Sequence, residues 1–258
     1  MLRVPVFVLA IALLLTQQAF AQSRVISSLG RIEPDGGVVS LAGPSGLGSV
    51  IMELRVTEGD FVKKGDVVAV LDEYPVRKAD LSRLQAELEN AQKNLQREQK
   101  LARSMASSVS KIESLELSVK AAQAAVTAAE AMMDLSLVRA PKDAQILYVH
   151  SYPGERVGVE GIVEIGNTER MYAVAEVYET DIIHVKPGQR ASITSPALSA
   201  PVSGTVEKIG LKVGRMDVLG MDPVAEADAR VIEVDILLDD VDAVKALTNL
   251  QVEVEITP

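Results

Sequence analysis

The chain has 258 residues, 48% of them hydrophobic and 24% charged, a balance that supports folding and is too mixed for a disordered polymer. Its 36 acidic against 26 basic residues, a net charge of −10, argue against a nucleic-acid partner, because affinity for phosphate backbones comes from Lys and Arg. With no cysteine and two histidines, His150 and His184, it can build no disulfide, thiolate zinc site, iron–sulfur cluster or His-rich metal centre, and no cofactor is expected. Three Phe, five Tyr and no Trp leave Val, Ile, Leu and Ala to form the core, which suits thin modules better than one large globule.

At the N-terminus Arg3 precedes an apolar stretch from Val4 to Leu15, then Thr16-Gln17-Gln18 and the small-x-small run Ala19-Phe20-Ala21. This is the form of an export leader, with cleavage expected after Ala21 and a mature chain of net charge −11. The apolar run falls short of the roughly 20 residues that span a bilayer, so a retained anchor is the alternative. No cysteine follows it, which excludes a lipid-modified N-terminus, and no later segment is long and apolar enough to cross a membrane.

Two stretches on either side of the middle of the chain resemble each other. Ile51-Met52-Glu53-Leu54 and Glu58-Gly59-Asp60-Phe61-Val62 return 95 residues later as Ile146-Leu147-Tyr148-Val149 and Pro153-Gly154-Glu155-Arg156-Val157. Gly65-Asp66-Val67-Val68-Ala69-Val70-Leu71 then answers Gly161-Ile162-Val163-Glu164-Ile165 with one extra residue in the second copy. Each copy reads as a few short half-buried strands with glycine turns, and the simplest packing closes the two about a pseudo-twofold into one sandwich.

Between them, Val76 to Ala140 contains neither Gly nor Pro, although the chain holds 17 and 11 of them, and Pro75 and Pro141 bracket the gap. The window therefore predicts helix. Leu81, Leu84, Leu88, Ala91 and Leu95 form one three-four seam, and Ile112, Leu115, Val119, Ala122, Val126, Ala129 and Met133 form another. The serine-rich Ser104–Ser110 run interrupts them as a cap or turn, so the two arms make an antiparallel hairpin, each arm about 28 residues or roughly 40 Å long, projecting from the body.

From Asn167 onward the pattern is β-rich with a possible short helix. Met171–Tyr178, Arg190–Thr194, Pro201–Ile209, Arg230–Leu238 and Gln251–Ile256 read as strands of a small barrel or sandwich, Val25–Glu33 as an extra strand, and Leu211–Asp228 as a mobile loop. Asp239, Asp240 and Asp242 cluster at a strand end without a nucleophile or partner base, so no enzymatic activity is expected. His150 and His184 have no carboxylate at ligand spacing and read as structural or exposed. There is no phosphate-binding Gly-rich loop ending in Lys-Ser or Lys-Thr.

The run Val56-Thr57-Glu58-Gly59-Asp60-Phe61-Val62-Lys63-Lys64-Gly65-Asp66-Val67-Val68-Ala69-Val70-Leu71-Asp72 resembles the first half of the biotinyl-lipoyl domain of HlyD-type periplasmic adaptor (membrane fusion) proteins. Val138-Arg139-Ala140-Pro141 resembles that family's return into the second half. Ala175–Ile182 and Val185-Lys186-Pro187-Gly188-Gln189 resemble the start of its β-barrel. Gly30-Arg31-Ile32-Glu33-Pro34 and Ala42-Gly43-Pro44-Ser45 look most like the DevB-type subgroup that serves ABC exporters, from which the short hairpin departs.

The resemblance implies an elongated α+β chain: a signal peptide at 1–21, a β-barrel from 22–40 and 167–258, lipoyl-like halves at 41–74 and 138–166, and a coiled-coil hairpin at 75–137. It implies a non-catalytic adaptor in the periplasm, associated with the inner membrane through its partner. That adaptor would bridge an inner-membrane ABC transporter, in which ATP is hydrolysed, to a TolC-like outer-membrane channel, with about six copies in a ring. At such hairpin tips the family carries Arg, three residues, Leu, six residues, Ser. Arg97, Leu101 and Ser108 fit that spacing, and Ser110 is the alternative register for the serine. The alternatives are an adaptor of a proton-driven pump of the resistance-nodulation (RND) class and a passive envelope scaffold. A swinging-arm carrier is disfavoured, since the helical insertion occupies the turn where the modified Lys would sit.

Overall fold

The computed structural model describes residues 25–43, 48–103, 108–216 and 229–257; the leader reading, the centre of the interhelical turn and most of the Leu211–Asp228 reading lie outside them. The chain forms two compact units, Glu33–Arg170 and a second made of residues through Ile32 and from Met171 onward. Strands β1 (Ile26–Leu41) and β7 (Val163–Tyr178) contribute residues to both. Among the described residues no helix is long and apolar enough to cross a membrane.

The Glu33–Arg170 unit contains β2 (Ile51–Leu54), β3 (Phe61–Val62), β4 (Val67–Leu71), β5 (Leu137–Arg139) and β6 (Ala144–Val149). β2, β4 and β5 form one sheet, while β3 pairs with β6 and β6 with β7. The repeat read from the sequence appears here as a reciprocal set of hydrogen bonds. Gly154 N–H donates to the Ile51 carbonyl (2.8 Å) and Ile51 N–H to the Glu155 carbonyl (2.9 Å); 95 residues away, Gly59 N–H donates to Ile146 (2.9 Å) and Ile146 N–H to Asp60 (2.9 Å).

The turns match as well. Asp60 accepts the Thr57 amide (2.8 Å) and Glu155 the Tyr152 amide (2.7 Å), and Gly59 and Gly154 both take φ of +90°. Each half thus completes the strands of the other. Ile51, Val68, Leu71, Ile146, Ile162 and Ile165 pack between them, each at most 1% exposed. The Thr57 amide and hydroxyl hold the Asp60 carboxyl below the usual carboxylate range.

Between β4 and β5 stand two helices, α1 (Tyr74–Ala102) and α2 (Val109–Asp134). Leu81, Leu84 and Leu88 near the start of α1 pack with Val126, Ala129 and Met133 near the end of α2, so the helices run antiparallel. Every seam position read from the sequence is buried or half-buried. The helical window needs correction at both ends. α1 begins at Tyr74 and takes Pro75 into its first turn, where a missing N–H leaves nothing unsatisfied. α2 stops at Asp134, because Leu137–Arg139 is drawn into β5, pairing with β4 and burying Val138.

The other unit adds β8 (Arg190–Thr194), β9 (Val202–Arg215), β10 (Arg230–Leu238), β11 (Gln251–Thr257) and a short 3-10 helix, Ile182–His184. The strand order β1-β11-β8-β9-β10-β7 closes on itself, since β1 also pairs with β7. Alternate residues of β11, Val252, Val254 and Ile256, point into a core with Met171, Ile193, Val234 and Ile236. Residues 211–215, expected in a mobile loop, instead prolong β9, with Arg215 opposite Arg230; a bulge leaves Leu211 fully exposed. Glu176, 1% exposed on β7, lies across from Glu233 on β10, and Arg31 bonds to both, at 3.1 and 2.9 Å, offsetting a pairing of like charges.

The equivalence of the two turns is open to measurement. No atom would crowd a Cβ at either glycine, so Gly59→Ala and Gly154→Ala should each lose only the backbone term, roughly 1–2 kcal/mol, and should lose it equally in urea denaturation.

Candidate functional site

The residues singled out by spacing gather where α1 ends and α2 begins. Arg97 and Leu101, one turn apart on α1, are both exposed, Leu101 at 43%. The seam passes beside them, through Leu95, Glu98 and Ala102, which are half-buried. Leu101 therefore stands one position off the interhelical contact, with part of its apolar surface in water. Arg97 forms no ion pair with any described residue, whereas Arg83 lower on the same helix bonds both Asp80 and Glu87. Lys100, Arg103 and Lys111 lie at the same end, giving a basic tip to a chain of net charge −10.

Ser108 is the N-cap of α2. Its backbone is extended (φ −97°, ψ 147°) and its hydroxyl accepts the Lys111 amide at 3.3 Å. Ser110 lies inside the first turn and is exposed, as is Val109 at 73%. The structure thus puts all three predicted positions near the interhelical turn and shows Ser108 capping α2; among the described residues it brings no catalytic pair or ligand cage to them.

Elsewhere the acidic cluster is taken up by ion pairs and a turn. Arg190 holds both carboxylate oxygens of Asp239, Lys245 bonds Asp242 at 2.6 Å, and Asp240 accepts the Ala243 amide. The Arg190 and Lys245 contacts lower the Asp239 and Asp242 carboxyls from their ordinary range. Among the described residues no group of three or more His, Asp or Glu could hold a metal ion. His150, with no carboxylate at ligand spacing along the chain, has two beside it in space, Glu160 and Glu164. The pairing of β6 with β7 folds residues 10 and 14 positions away back onto it, a proximity that residue spacing along the chain does not display.

Comparison with known proteins bears on this arrangement. No protein-family model matches the chain. It is 26% identical over 172 residues to the macrolide export protein MacA of Escherichia coli O157:H7, a match covering 55% of this chain and 46% of that protein. It is 29% identical over 157 residues to the multidrug resistance protein MdtA of Escherichia coli O45:K1, covering 55% and 38%. The chain thus spans half or less of the length of these curated relatives.

In fold it is similar to a crystal structure of a MacA–MexA chimera that contains the Pseudomonas aeruginosa MexA α-hairpin domain, with TM-score 0.73, 20% identity and coverage of 91% of this chain and 79% of that one. Strands and helices together place the molecule in the α+β class with the fold of membrane fusion proteins. In sequence it is thus similar to proteins named for macrolide export and multidrug resistance, and in fold to structures of the MacA and membrane fusion protein kind.

The capping role separates Ser108 from its neighbours. Ser108→Ala should lower thermal stability by the equivalent of about 1 kcal/mol, while Arg97→Ala, which breaks no ion pair among the described residues, should leave the melting temperature in place.

Proposed function

We propose that this chain is the non-catalytic periplasmic adaptor of a tripartite export system, joining an inner-membrane ABC transporter to a TolC-like outer-membrane channel. The observation that carries this reading is the two-helix insertion between two halves that hydrogen-bond reciprocally. It grows from a turn that a free-standing lipoyl or biotinyl domain would use to present its modified Lys, and it offers no such Lys. The relatives, named for macrolide export and multidrug resistance, support export as the common task.

In this reading residues 1–21 are a leader cleaved after Ala21, 22–40 and 167–258 a barrel facing the inner membrane and its transporter, and 41–74 with 138–166 a lipoyl-like module. Copies of that module stack in a ring, about six around. The segment 75–137 is a coiled-coil hairpin whose tip meets the channel through Arg97, Leu101 and Ser108. Physically, Arg97 supplies a forked donor, Leu101 an apolar anchor, and Ser108 the cap that fixes the start of α2. An ABC partner of the DevB kind remains our assignment from the residues near Gly30–Pro34. An adaptor of a proton-driven RND pump is the second reading, favoured by the likeness to a multidrug resistance protein.

The absence of cysteine makes one engineered thiol unique in the chain. Ser110→Cys preserves the Ser108 cap and puts the thiol on the exposed first turn of α2. A short thiol-to-amine cross-linker applied to intact cell envelopes should capture an outer-membrane channel protein, identified by mass spectrometry, and Arg97→Asp should abolish that capture. Capture of the protein alone, at normal expression, would overturn tip docking and leave a self-associating scaffold.

A further inference from the structure

The internal repeat provides its own control, because whatever the sandwich needs in order to fold is present in both halves. Where the halves differ, the fold does not require the difference. The largest departure is the extra residue between Val157 and Gly161, where Gly158-Val159-Glu160 stands against Lys63-Lys64. In the first half this turn is tied to its surroundings: Lys64 N–H donates to Asp143 (2.7 Å), Lys63 N–H to Asp66 (2.8 Å), and the Gly65 carbonyl accepts from Arg139 (2.9 Å). In the second half the corresponding side-chain tie is made by a histidine.

His150 follows β6 with its side chain 14% exposed. Its Nδ1 lies 3.2 Å from Glu160 Oε2 and its Nε2 2.9 Å from Glu164 Oε1. A carboxylate can only accept. Both contacts are therefore hydrogen bonds only when both ring nitrogens carry a proton, and a neutral ring turns a lone pair toward one of the two oxygens.

The surroundings indicate which contact then fails. Glu164 is closer and 31% exposed, whereas Glu160 is farther and 74% exposed, so water competes for Glu160 first. The other groups facing this site are Tyr148, edge-on to the imidazole at 4.9 Å, Glu155 and Arg156 on the same hollow of about 490 Å³, and Glu58, which accepts the Val149 amide.

We propose that His150 is a proton-dependent latch on the Gly158–Glu160 turn. Protonated, it clamps Glu160 and Glu164 together; on losing a proton it keeps Glu164 and releases Glu160. The release is local. Ser151 Oγ still holds the Gly161 carbonyl (3.0 Å), Ile162 N–H still donates to Leu41 (2.7 Å), and Ser40 still bonds the Glu160 carbonyl. What changes is the order of a turn that carries Val159, 88% exposed, on the surface of the lipoyl-like module. The latch does not depend on the export reading, and it would make this one surface answer to the pH outside the chain.

With two histidines in the sequence, His184→Gln leaves a single imidazole signal, that of His150, to follow by NMR. The amide signals of Gly158, Val159 and Glu160 should shift along the same pH curve as the ring. Their exchange rates, corrected for intrinsic pH dependence, should rise across it by about fivefold at most, the range one half-exposed ion pair allows. Glu160→Gln should abolish the response of these amides while the ring still titrates. His150→Gln, which cannot change charge, should make the turn insensitive to pH. Amides that stay still while the ring titrates, or that respond equally in Glu160→Gln, would overturn the latch, as would a ring that does not titrate between pH 4 and 9.

Discussion

Four backbone hydrogen bonds, two on Ile51 and two on Ile146, tie the two repeated halves of the Glu33–Arg170 unit in a reciprocal exchange in which each supplies what the other lacks. A short strand alone leaves a row of unpaired backbone groups and one uncovered apolar face, and neither half buries its own. Paired, they leave Ile51, Ile146, Ile162 and Ile165 at most 1% exposed. The remainder of this unit follows from that closure. It fixes β4 and β5 side by side, with the Leu71 amide donating to Ser136 at 2.9 Å, so the chain leaves the module and returns to it at adjacent points. An insertion rooted there adds little loop-closure entropy to folding, because its ends are already held together.

The helical pair lives under different rules. Only Leu81, Val126 and Ala129 are buried in it, and the salt bridges along α1 are solvent-exposed pairs of the kind that contribute little each. Its order comes from the half-buried seam and from its anchored root, and both weaken toward the turn. There the seam passes from Leu95 to Glu98 and Ala102, and Leu101 turns out to water. The Ser108 cap is what starts α2 from an end with no buried side chain near it among the described residues.

Much of this was legible in the sequence because the signals are local. Positive-φ glycines, period-two strands and a three-four seam are each written within a few residues, and the offset of 95 exposed the repeat without any knowledge of contacts. The failures share one cause, tertiary pairing that overrides local composition. Leu137–Arg139 would continue a helix until β4 claims it. Residues 211–215 look like loop until β10 pairs with them. Glu176 gives no sign along the chain that it will be buried beside Arg31, and His150 no sign that two carboxylates will fold back on it. For Arg97, Leu101 and Ser108 the sequence supplied positions; the structure adds their exposure and the cap.

The distribution of charge joins these observations. Acidic residues outnumber basic ones over the chain, yet Arg97, Lys100, Arg103 and Lys111 crowd the end of the helical pair. Lys100 sits in the last turn of α1, where the helix dipole favours a cation, so part of this bias serves the helix itself. Arg97 lies further back, has no ion-pair partner among the described residues, and is not required by the dipole. A planar, permanently charged group held out beside an exposed Leu is poorly explained by stability. In the reading proposed above it would meet a surface that supplies acceptors and an apolar recess, as the end of another helical bundle, with its unsatisfied C-terminal carbonyls, would.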